Sequence, residues 1–248
     1  MNEIEANRYV RHRRSGTGDR LYDPYYLAIR PRIKHLRFFL SGKRGILIDI
    51  GCGEMPFRKL ILESSGINQY WGLDIAQNRN GTVNILIDSA TKLPIMNDCA
   101  DIVFLNSVLE HINEPLDVLR ETYRILKNDG YVYIYVPFMW QEHEEPYDYF
   151  RYTRFGLQYL LEKAGFQVTF LHTAGGFYSV VGMMFLEFMD NNKRIGFLGK
   201  VFRRGMNLKI VRPFYNLFFA SIDRVLGTDN PTIGFAIIGR KAVVRMST

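Results

Sequence analysis

The stretch Ile46–Pro56, ILIDIGCGEMP, decides the fold of this chain. Its first five residues are apolar except for Asp49 and show no polar alternation, which is typical of a strand buried on both faces of a parallel sheet. Gly51 and Gly53 then allow backbone conformations that other residues avoid, and they let a ligand approach the main chain closely. The pattern predicts a buried strand that ends in a ligand-binding turn.

Further apolar segments alternate with helical patterns along the chain, which is typical of a doubly wound parallel sheet. We predict a helix over Pro115–Leu126, where the proline suits the first turn. A second helix is predicted over Arg154–Lys163, with Thr153 as its N-cap and Gly165 just past its end. The predicted strands are Ile46–Ile50, Tyr70–Ile75, Thr82–Asp88, Ala100–Asn106, Gly130–Val136, Phe166–Thr173 and Thr232–Arg240.

The composition limits the class of protein. The 248 residues, 47% of them hydrophobic, are enough for one well-buried domain with an appendage. Cys52 and Cys99 are the only cysteines, and the sequence has neither a CxxC pair nor histidines at metal-ligand spacing. We therefore expect a reducing, cytoplasmic location, no disulfide scaffold and no metal. The N-terminus lacks a signal-peptide core and no apolar run reaches about 18 residues, so we expect no spanning helix.

The net charge of +7 is divided unevenly along the chain. Residues 1–44 hold 11 Lys/Arg and 4 Asp/Glu, whereas residues 45–190 hold 10 Lys/Arg and 19 Asp/Glu. Residues 191–212 hold 7 basic residues and no acidic one. Such basic flanks suit the phosphates of nucleic acid, of lipid headgroups or of a diphosphate-linked substrate. A solvated basic face without a partner explains them equally well.

The same patterns divide the chain into four predicted segments. Residues 1–44 form a basic helical segment or lid, and residues 45–175 form the nucleotide-binding core. Residues 176–230 form a helical, partly basic insertion, and residues 231–248 supply a final core strand and a tail. Within the insertion, Phe214–Leu226 places its apolar residues on one helical face. Such a helix can lie on a membrane surface, but packing against its own domain is the favoured interpretation.

The turn after the first strand indicates the class of ligand. Open α/β sheets bind ligands at the carboxyl ends of their strands, and Asp74 follows Gly53 at the spacing of an acid that binds ribose hydroxyls. NAD and S-adenosylmethionine are the two candidates. A dinucleotide fingerprint has a third glycine where this chain has Glu54-Met55-Pro56, and an acid there disfavours a diphosphate. Asp49 and the acidic core suit the net positive charge of S-adenosylmethionine.

Four stretches of the chain also resemble the class I S-adenosyl-L-methionine-dependent methyltransferases, specifically the methyltransferase type 11 group. They are ILIDIGCGEMP, YWGLDI, DSATKLPIMNDCADIVFLNSVLEHI and RILKNDGYVYIYVP, and they follow the family's order over roughly residues 45–137. The resemblance implies a methyltransferase with a Rossmann-like α/β sheet of seven strands, the last one antiparallel, and helices on both faces. It also implies an N-terminal helical lid and a helical insertion before the last strand. Met55 departs from the pattern, since many members have glycine there.

The resemblance further implies which residues bind the cofactor. The residues concerned are Asp49, Gly51, Cys52 and Gly53 for the methionine pocket, Asp74 for the ribose, Ile75, Asp88 and Ser89 for the adenine, and Asn106 at the fourth strand. Alternatives stay open for three of them. Asp49 could cap the following helix, Asp88 could end its strand in an Asx turn, and Cys52 is interpreted as a small spacer in the turn, not a nucleophile.

Two histidines follow the fourth and fifth predicted strands, His111 in SVLEHI and His143 in WQEHEEPYDYFRYT. Methylation of a hydroxyl requires removal of its proton, and we predict His143 as the general base, with His111 as the other candidate or a hydrogen bonder behind it. The second stretch resembles the H-x-x-P-x-D-x-x-R-[FY]-T segment of methyltransferases of surface-glycan pathways. That likeness implies substrate-binding roles for Tyr147, Asp148 and Arg151, while an ion pair that only anchors the loop is an equal alternative.

Tyr22 and Tyr25 lie in RLYDPYYLAIRPRIKHLRFFL, which suits a lid that contacts the acceptor or a helix that covers the sheet edge. We predict O-methylation of a sugar hydroxyl on a nucleotide- or lipid-linked glycan, so the partner is a small-molecule or glycan acceptor that can carry phosphate. Methylation of a quinone or another apolar molecule at the inner membrane face is the second interpretation. A non-catalytic cofactor-binding or RNA-associated protein is the third. Nucleic acid is not expected, because the core has no RNA module.

Overall fold

A computed structural model describes residue 18, residues 20–191 and residues 196–242 of the chain. Its strands are β1 (Arg44–Ile50), β2 (Gly66–Asp74), β3 (Ile85–Leu86), β4 (Ala100–Asn106), β5 (Leu126–Pro137), β6 (Gln167–Ala174) and β7 (Gly234–Arg240). They form a seven-stranded sheet in the order β3-β2-β1-β4-β5-β7-β6. Strand β7 runs antiparallel to both of its neighbours, β5 and β6. The predicted Rossmann-like sheet with an antiparallel last strand is confirmed.

Strand β1 lies at the centre of this sheet, parallel to β2 on one side and to β4 on the other. Leu47, Ile48 and Ile50 are at most 3% exposed, because helices cover both faces of the strand. The chain builds β2 and β3 outward from β1 and then crosses back to β4. The strand order therefore reverses beside β1, which is where open α/β sheets leave a crevice at the carboxyl ends of their strands.

Helices pack on both faces of the sheet. On one face, Leu36, Phe39 and Ile61 share a buried cluster with the sheet residues Phe104 and Tyr133. On the other face, a second cluster joins Val118, Leu119, Leu157 and Leu161 to the strands. The helices are α1 (Tyr26–Leu40), α2 (Arg58–Ser64), α3 (Pro115–Ile125), α4 (Arg154–Lys163), α5 (Phe177–Asn191), α6 (Phe197–Met206) and α7 (Val211–Leu226).

Local sequence signals set the ends of α3 and α4. Pro115 is the first residue of α3. The backbone N–H of Gly156 donates to Thr153 Oγ1 over 3.1 Å, so the threonine caps α4 as predicted. Gly165 has a φ of +98° just past the end of that helix, a conformation that favours glycine. These predictions are confirmed because each depends on a few neighbouring residues.

Three strand predictions are wrong in extent. Strand β2 begins at Gly66, four residues before the predicted start at Tyr70. Only Ile85–Leu86 of the predicted strand Thr82–Asp88 pairs with β2. Just before it, Asn84 accepts a hydrogen bond from the Gly72 N–H through its side-chain Oδ1 at 2.8 Å, which replaces a backbone ladder bond. Strand β5 begins at Leu126, directly after α3, and not at Gly130.

The favoured interpretation of Phe214–Leu226 is also wrong. The inner side of helix α7 holds Arg212 and Asn216, which are at most 3% exposed, together with the half-buried Phe219, and most of the predicted apolar stripe lies in solvent. Phe214 is 70% exposed and Val225 is 77% exposed. The helical period of the stripe was correct, but a period alone does not tell which side of a helix has a partner. Among the described helices, none is both long and apolar enough to cross a membrane.

Candidate functional site

A cleft of about 1160 Å³ opens at the carboxyl ends of β1, β2, β4 and β5. Its floor comes from the strand ends and the turns that follow them, and its wall comes from α1 and from the loop between β5 and α4. The volume is sufficient for a nucleoside cofactor together with part of an acceptor. All nine predicted cofactor residues line it, namely Asp49, Gly51, Cys52, Gly53, Asp74, Ile75, Asp88, Ser89 and Asn106.

The glycine turn after β1 is held against the end of β2. The N–H groups of Gly51 and Cys52 both donate to the Leu73 carbonyl, over 2.8 and 3.0 Å, and Gly53 N–H donates to Asp74 Oδ2 over 2.8 Å. Gly51 has a φ of +68°, and a Cβ there would lie 2.6 Å from Cγ2 of Val108. Both the left-handed backbone and the close approach therefore require glycine.

Met55, which departs from the family pattern, takes a φ of +52° in the same loop. Its side chain is 7% exposed and packs in the cluster that contains Cys52 and Phe57. Glycine adopts this positive φ more easily than methionine does, and burial of the thioether side chain offsets the cost at Met55.

Three carboxyl groups are buried at the β1 and β2 end of the cleft. Asp49 is 4% exposed, Glu54 7% and Asp74 1%. Burial raises the pKa of Asp49 to about 8 even though Tyr70 donates a short hydrogen bond to its Oδ2, and the charge of Asp74 raises it further. Oε2 of Glu54 is buried without a hydrogen-bond partner. Such a site favours a cation over a diphosphate, because a bound cation stabilises the ionised carboxylates.

Arg32, which was not among the predicted site residues, also lines the cleft. It is 9% exposed, and its guanidinium lies 3.5 Å from the centre of the Tyr135 ring. Nη1 donates to Asn106 Oδ1 over 3.3 Å, while Nε is buried without a hydrogen-bond partner. A signal was present in the sequence, since Arg32 stands on the same face of α1 as Ile29 and Leu36, where a charge is unexpected.

The acceptor end of the cleft brings the two predicted histidines together. The ring centres of His111 and His143 are 4.7 Å apart, with the rings nearly perpendicular. Nδ1 of His143 lies 3.2 Å from Asp148 Oδ2 and 3.3 Å from the Gln141 carbonyl. Nδ1 of His111 lies 3.0 Å from the Tyr147 carbonyl. Because both Nδ1 atoms face hydrogen-bond acceptors, we assign their protons there, so Nε2 is the atom of His143 that can accept a proton. Nε2 of His111 lies 3.9 Å from Glu110 Oε1 and 3.9 Å from Glu144 Oε2.

The loop that carries His143 is held by an ion pair. Asp148 and Arg151 form a bidentate pair with two contacts of 2.7 Å. Asp148 Oδ2 also accepts the N–H of His143 over 2.9 Å, and Arg151 donates to the Gln141 carbonyl over 2.9 Å. Neither Asp148 nor Arg151 lines the cleft, and neither does Tyr22, whereas Tyr25 and Tyr147 do. These contacts support the loop-anchoring alternative for Asp148 and Arg151.

The histidine environment favours a neutral imidazole. Burial lowers the pKa of His143 below its usual value of 6.5, and the nearby His111 lowers it further, while Asp148 acts in the opposite direction. His143 is therefore uncharged at neutral pH. An uncharged imidazole with a free Nε2 can accept a proton from a hydroxyl placed in the cleft.

The tertiary structure also gathers a group of potential metal ligands that the sequence spacing did not show. Glu110, His111 and His143 offer one ligand atom each within 4.8 Å of one another. Burial raises the pKa of Glu110 to about 8, which favours its protonated form. Arg151 Nη2 lies 3.4 Å from His143 Nδ1, so a fixed positive charge already stands beside the group. These charges favour a proton-transfer role over a cation site.

Comparison with known proteins agrees with this geometry. Residues 48–134 match the family model described as a methyltransferase domain. A tRNA U34 carboxymethyltransferase of Desulfotalea psychrophila is 26% identical over 150 residues, which cover 55% of this chain and 46% of that protein. The matched region thus spans about half the length of this curated relative.

Two solved structures share the fold over most of the chain. One belongs to a complex between the Trm112 methyltransferase activator of Haloferax volcanii and a methyltransferase, with a TM-score of 0.60, 16% identity and coverage of 98% of this chain and 99% of that one. The other is an S-adenosylmethionine-dependent methyltransferase of Archaeoglobus fulgidus, with a TM-score of 0.53, 20% identity and coverage of 86% and 93%.

Fold, cleft and family match together define the class of protein. The chain carries a class I methyltransferase domain of the type 11 group. Its cofactor is S-adenosylmethionine, which the cluster of buried carboxyl groups and the nucleoside-sized cleft fit. The domain therefore has the fold and the cofactor site of a methyltransferase.

Proposed function

We propose that this chain methylates a hydroxyl group of a sugar on a nucleotide- or lipid-linked glycan. The observation that carries the proposal is the pair formed by His143 and Asp148 at the acceptor end, with 3.2 Å between Nδ1 and Oδ2. A buried carboxylate that holds an imidazole by Nδ1 is an arrangement suited to a general base. An oxygen acceptor needs such a base, because its proton must leave during methylation.

The cofactor is assigned to the β1 and β2 end of the cleft. In this assignment Asp49, Glu54 and the turn Gly51–Gly53 surround the methionine part, and Arg32 faces its carboxylate. Asp74 binds the ribose hydroxyls, while Ile75, Asp88 and Ser89 border the adenine and Asn106 lines the middle of the cleft. When bound, S-adenosylmethionine supplies an electrophilic methyl group that leaves a neutral thioether behind.

Residues at the other end would bind and orient the acceptor. Tyr25 from α1 stacks on Trp140 with 5.7 Å between ring centres, and both rings line the cleft. Aromatic faces of this kind suit the apolar face of a sugar ring. Gln141, Glu144 and Tyr147 add hydrogen-bonding groups around the histidines. The combination of flat apolar surface and many polar groups supports a sugar better than a purely apolar acceptor.

His143 would take the proton of the acceptor hydroxyl on Nε2. Asp148 stabilises the resulting imidazolium through Nδ1, and Arg151 keeps Asp148 ionised and in place. His111, with Nδ1 fixed by the Tyr147 carbonyl, stands beside the base as a hydrogen-bonding neighbour. His143, Asp148 and Arg151 lie on the loop 138–153, and His111 contacts this loop through the Tyr147 carbonyl.

The test is a methyl-transfer assay with isotopically labelled S-adenosylmethionine and a set of acceptors that includes nucleotide sugars, lipid-linked sugars and a reduced quinone. We expect label in a base-stable methyl ether on a sugar hydroxyl. Label in a carboxyl ester, on nitrogen or only on the quinone would contradict the proposal, as would the absence of label from every sugar acceptor.

A tRNA acceptor is the second candidate, and the observation that favours it is the likeness to the Desulfotalea psychrophila enzyme, whose name gives tRNA U34 as its target. The basic residues of the N-terminal segment and of residues 191–212 suit a phosphate backbone as well. Total tRNA added to the same assay distinguishes the two candidates. Labelled tRNA together with unlabelled sugars would replace the glycan proposal.

A further inference from the structure

Helices α5, α6 and α7 present large apolar side chains to solvent on one side of the molecule, and we call this surface the outer face. In α5 these residues recur at helical spacing, so they form one stripe along the helix. Phe188 is 58% exposed, Phe202 50% and Phe218 59%. The outer face consists of Phe177, Val181, Met184, Phe185 and Phe188 of α5, Phe197, Val201 and Phe202 of α6, Leu208 and Ile210 of the connecting segment, and Phe214, Leu217, Phe218, Val225 and Leu226 of α7.

The three helices share this surface because their aromatic rings meet. Phe185 of α5 lies 6.1 Å from Phe202 of α6 and 6.3 Å from Tyr215 of α7, measured between ring centres. The exposed surfaces of α5 and α6 therefore join at Phe185 and Phe202, and α7 packs beside α5 through the half-buried Tyr215. Monomeric proteins seldom expose an apolar patch of this kind unless it binds a partner.

Helix α7 is fixed by polar contacts on its inner side, while α5 packs on the domain through Val180 and Met183. Asp223 of α7 accepts hydrogen bonds from the N–H of Gly176 at 2.8 Å and from the Ser179 hydroxyl at 2.7 Å. Asn216 donates to the carbonyls of Leu21 and Asp23 before α1, at 2.7 and 3.0 Å. These specific inner contacts fix the orientation of α7, so its apolar side points outward as part of the fold.

Basic residues accompany the apolar ones. Lys200 and Arg204 are exposed on α6, Lys209 is exposed before α7, and Arg203 is half-buried. From Phe197 to Arg212 the chain has no acidic residue. Acidic residues of the outer face stand only on α5, where Glu187 is half-buried and Asp190 is exposed 3.5 Å from Arg212. The part formed by α6 and the segment before α7 is bordered by cations, which makes it complementary to a bilayer with anionic headgroups, where each Lys or Arg near the surface contributes about 1 kcal/mol.

We propose that the outer face binds the surface of an anionic lipid bilayer. The aromatic side chains enter the interfacial region, and the basic residues contact lipid phosphates. The proposal concerns membrane binding and holds for any acceptor. It also bears on access to the site, because α5 adjoins the mouth of the cleft: Gln141 donates to Glu187 over 2.8 Å, and Trp140 packs beside Val180 and Met183. An acceptor anchored in the bilayer would thus reach the aromatic end of the cleft.

The experiment is flotation of the full chain with vesicles of phosphatidylcholine alone and with vesicles that contain phosphatidylglycerol. We expect binding to the anionic vesicles, and weakening as salt rises, because the cationic contribution is screened. Absence of flotation with anionic vesicles at low salt would overturn the proposal. Equal flotation with both vesicle types at every salt concentration would overturn the role of the basic residues.

Two sets of variants locate the binding surface. The double substitution Phe214→Ser with Phe218→Ser should weaken vesicle binding by at least about tenfold, because two large apolar side chains no longer enter the interface. Lys200→Gln with Arg204→Gln should weaken it by roughly fivefold per charge. Both changes affect exposed side chains, and thermal unfolding of each variant verifies that the fold is intact.

Matched controls are available away from the outer face. Phe155 and Tyr159 of α4 are 74% and 59% exposed, and α4 packs on the sheet face opposite α1. Phe155→Ser with Tyr159→Ser should leave vesicle binding unchanged. Lys59→Gln with Arg120→Gln is the control for the loss of two exposed charges. If the controls weakened binding as much as the outer-face variants, no specific membrane surface would exist.

A second copy of the chain is the competing occupant of the outer face. Sedimentation velocity over a range of protein concentrations measures whether the chain dimerises. A stable dimer that fails to float, and that Phe214→Ser with Phe218→Ser converts to monomer, would make the outer face a dimer interface and overturn the membrane proposal. Methyl transfer to a soluble sugar acceptor tests the proposed function separately, since the outer-face variants leave the cleft untouched.

Discussion

The two ends of the cleft are built in different ways. At the cofactor end, Asp49 and Asp74 end neighbouring parallel strands, are at most 4% exposed and are fixed by the ladder of β1 and β2. At the acceptor end, His143 lies on an irregular loop whose shape depends on the Asp148–Arg151 pair. The sheet therefore fixes the site that every member of the class shares, while a loop with its own hydrogen bonds sets the site that differs among substrates.

The largest expected effect separates catalysis from cofactor binding. His143→Gln should lower kcat by about 10²- to 10⁴-fold, because the proton acceptor is lost, while the dissociation constant for S-adenosylmethionine stays within about twofold. Steady-state kinetics and calorimetry measure the two quantities. His172→Gln, at an exposed histidine on β6, is the matched control and should change neither. An unchanged kcat in His143→Gln would remove the residue from proton transfer.

At the cofactor end, Asp74→Asn should weaken S-adenosylmethionine binding by roughly 10- to 150-fold, since charge-assisted hydrogen bonds contribute about 1.5–3 kcal/mol. Part of the loss comes from the Gly53 N–H, which would lose its carboxylate acceptor. Calorimetry measures the affinity, and Asp117→Asn on the exposed side of α3 is the control. If Asp74→Asn bound S-adenosylmethionine as tightly as the wild type does, the β1 and β2 end of the cleft would not be the cofactor end.

The glycine turn beneath the cofactor end should be sensitive to a single methyl group. Gly51→Ala is expected to lower the free energy of unfolding by about 2–5 kcal/mol, because the positive φ and the close approach to Val108 both oppose a Cβ. Gly81→Ala is the control, since Gly81 has a φ of +65° with no atom near its Cβ position. It should cost only about 1–2 kcal/mol. Denaturant unfolding measures both variants. If Gly51→Ala and Gly81→Ala lowered the free energy of unfolding equally, the close approach of Val108 would play no part.

The smallest effect is a pH dependence of cofactor binding. With a pKa of about 8, Asp49 is protonated at pH 7 in the free protein, and a bound cation favours its ionised form. Binding therefore releases a proton, and affinity should rise by up to about tenfold per pH unit below pH 8 and level off above it. Calorimetry in buffers of different ionisation enthalpy counts the released proton. Asp49→Asn should abolish the release, and a wild type without it would contradict the assignment.

The acceptor end should respond to pH in its own way. Because burial lowers the pKa of His143, the rate should be constant above pH 6.5 and fall only below it, as the base becomes protonated. The pH profile of kcat measures the titration of His143, and the pH profile of cofactor affinity measures the titration of Asp49. If the two profiles coincided, a single group would control both kcat and cofactor affinity.

Much of the cofactor end could be predicted from the sequence. Its residues follow short segments whose pattern fixes strand and turn, so Asp49, Gly51 and Asp74 come together as soon as parallel strands align. Arg32 was not predicted as a site residue, because it reaches the cleft from α1 and only the packing of that helix on the sheet brings its side chain beside Asn106. The approach of His111 to His143 and Glu110 likewise depends on the fold of a loop far along the chain.

The sequence by itself determined the doubly wound sheet, the cap of α4 and the class of cofactor, because these depend on hydrophobic period, turn residues and charge within a few positions. Only the tertiary structure decided which side of α7 is buried and which groups meet at the acceptor end. The physical reason is that burial and proximity are properties of pairs of distant segments. Helix α7 is oriented by the inner contacts of Asn216 and Asp223 and by Phe219, which packs beside Gly182, and these contacts leave Phe214 and Phe218 facing outward.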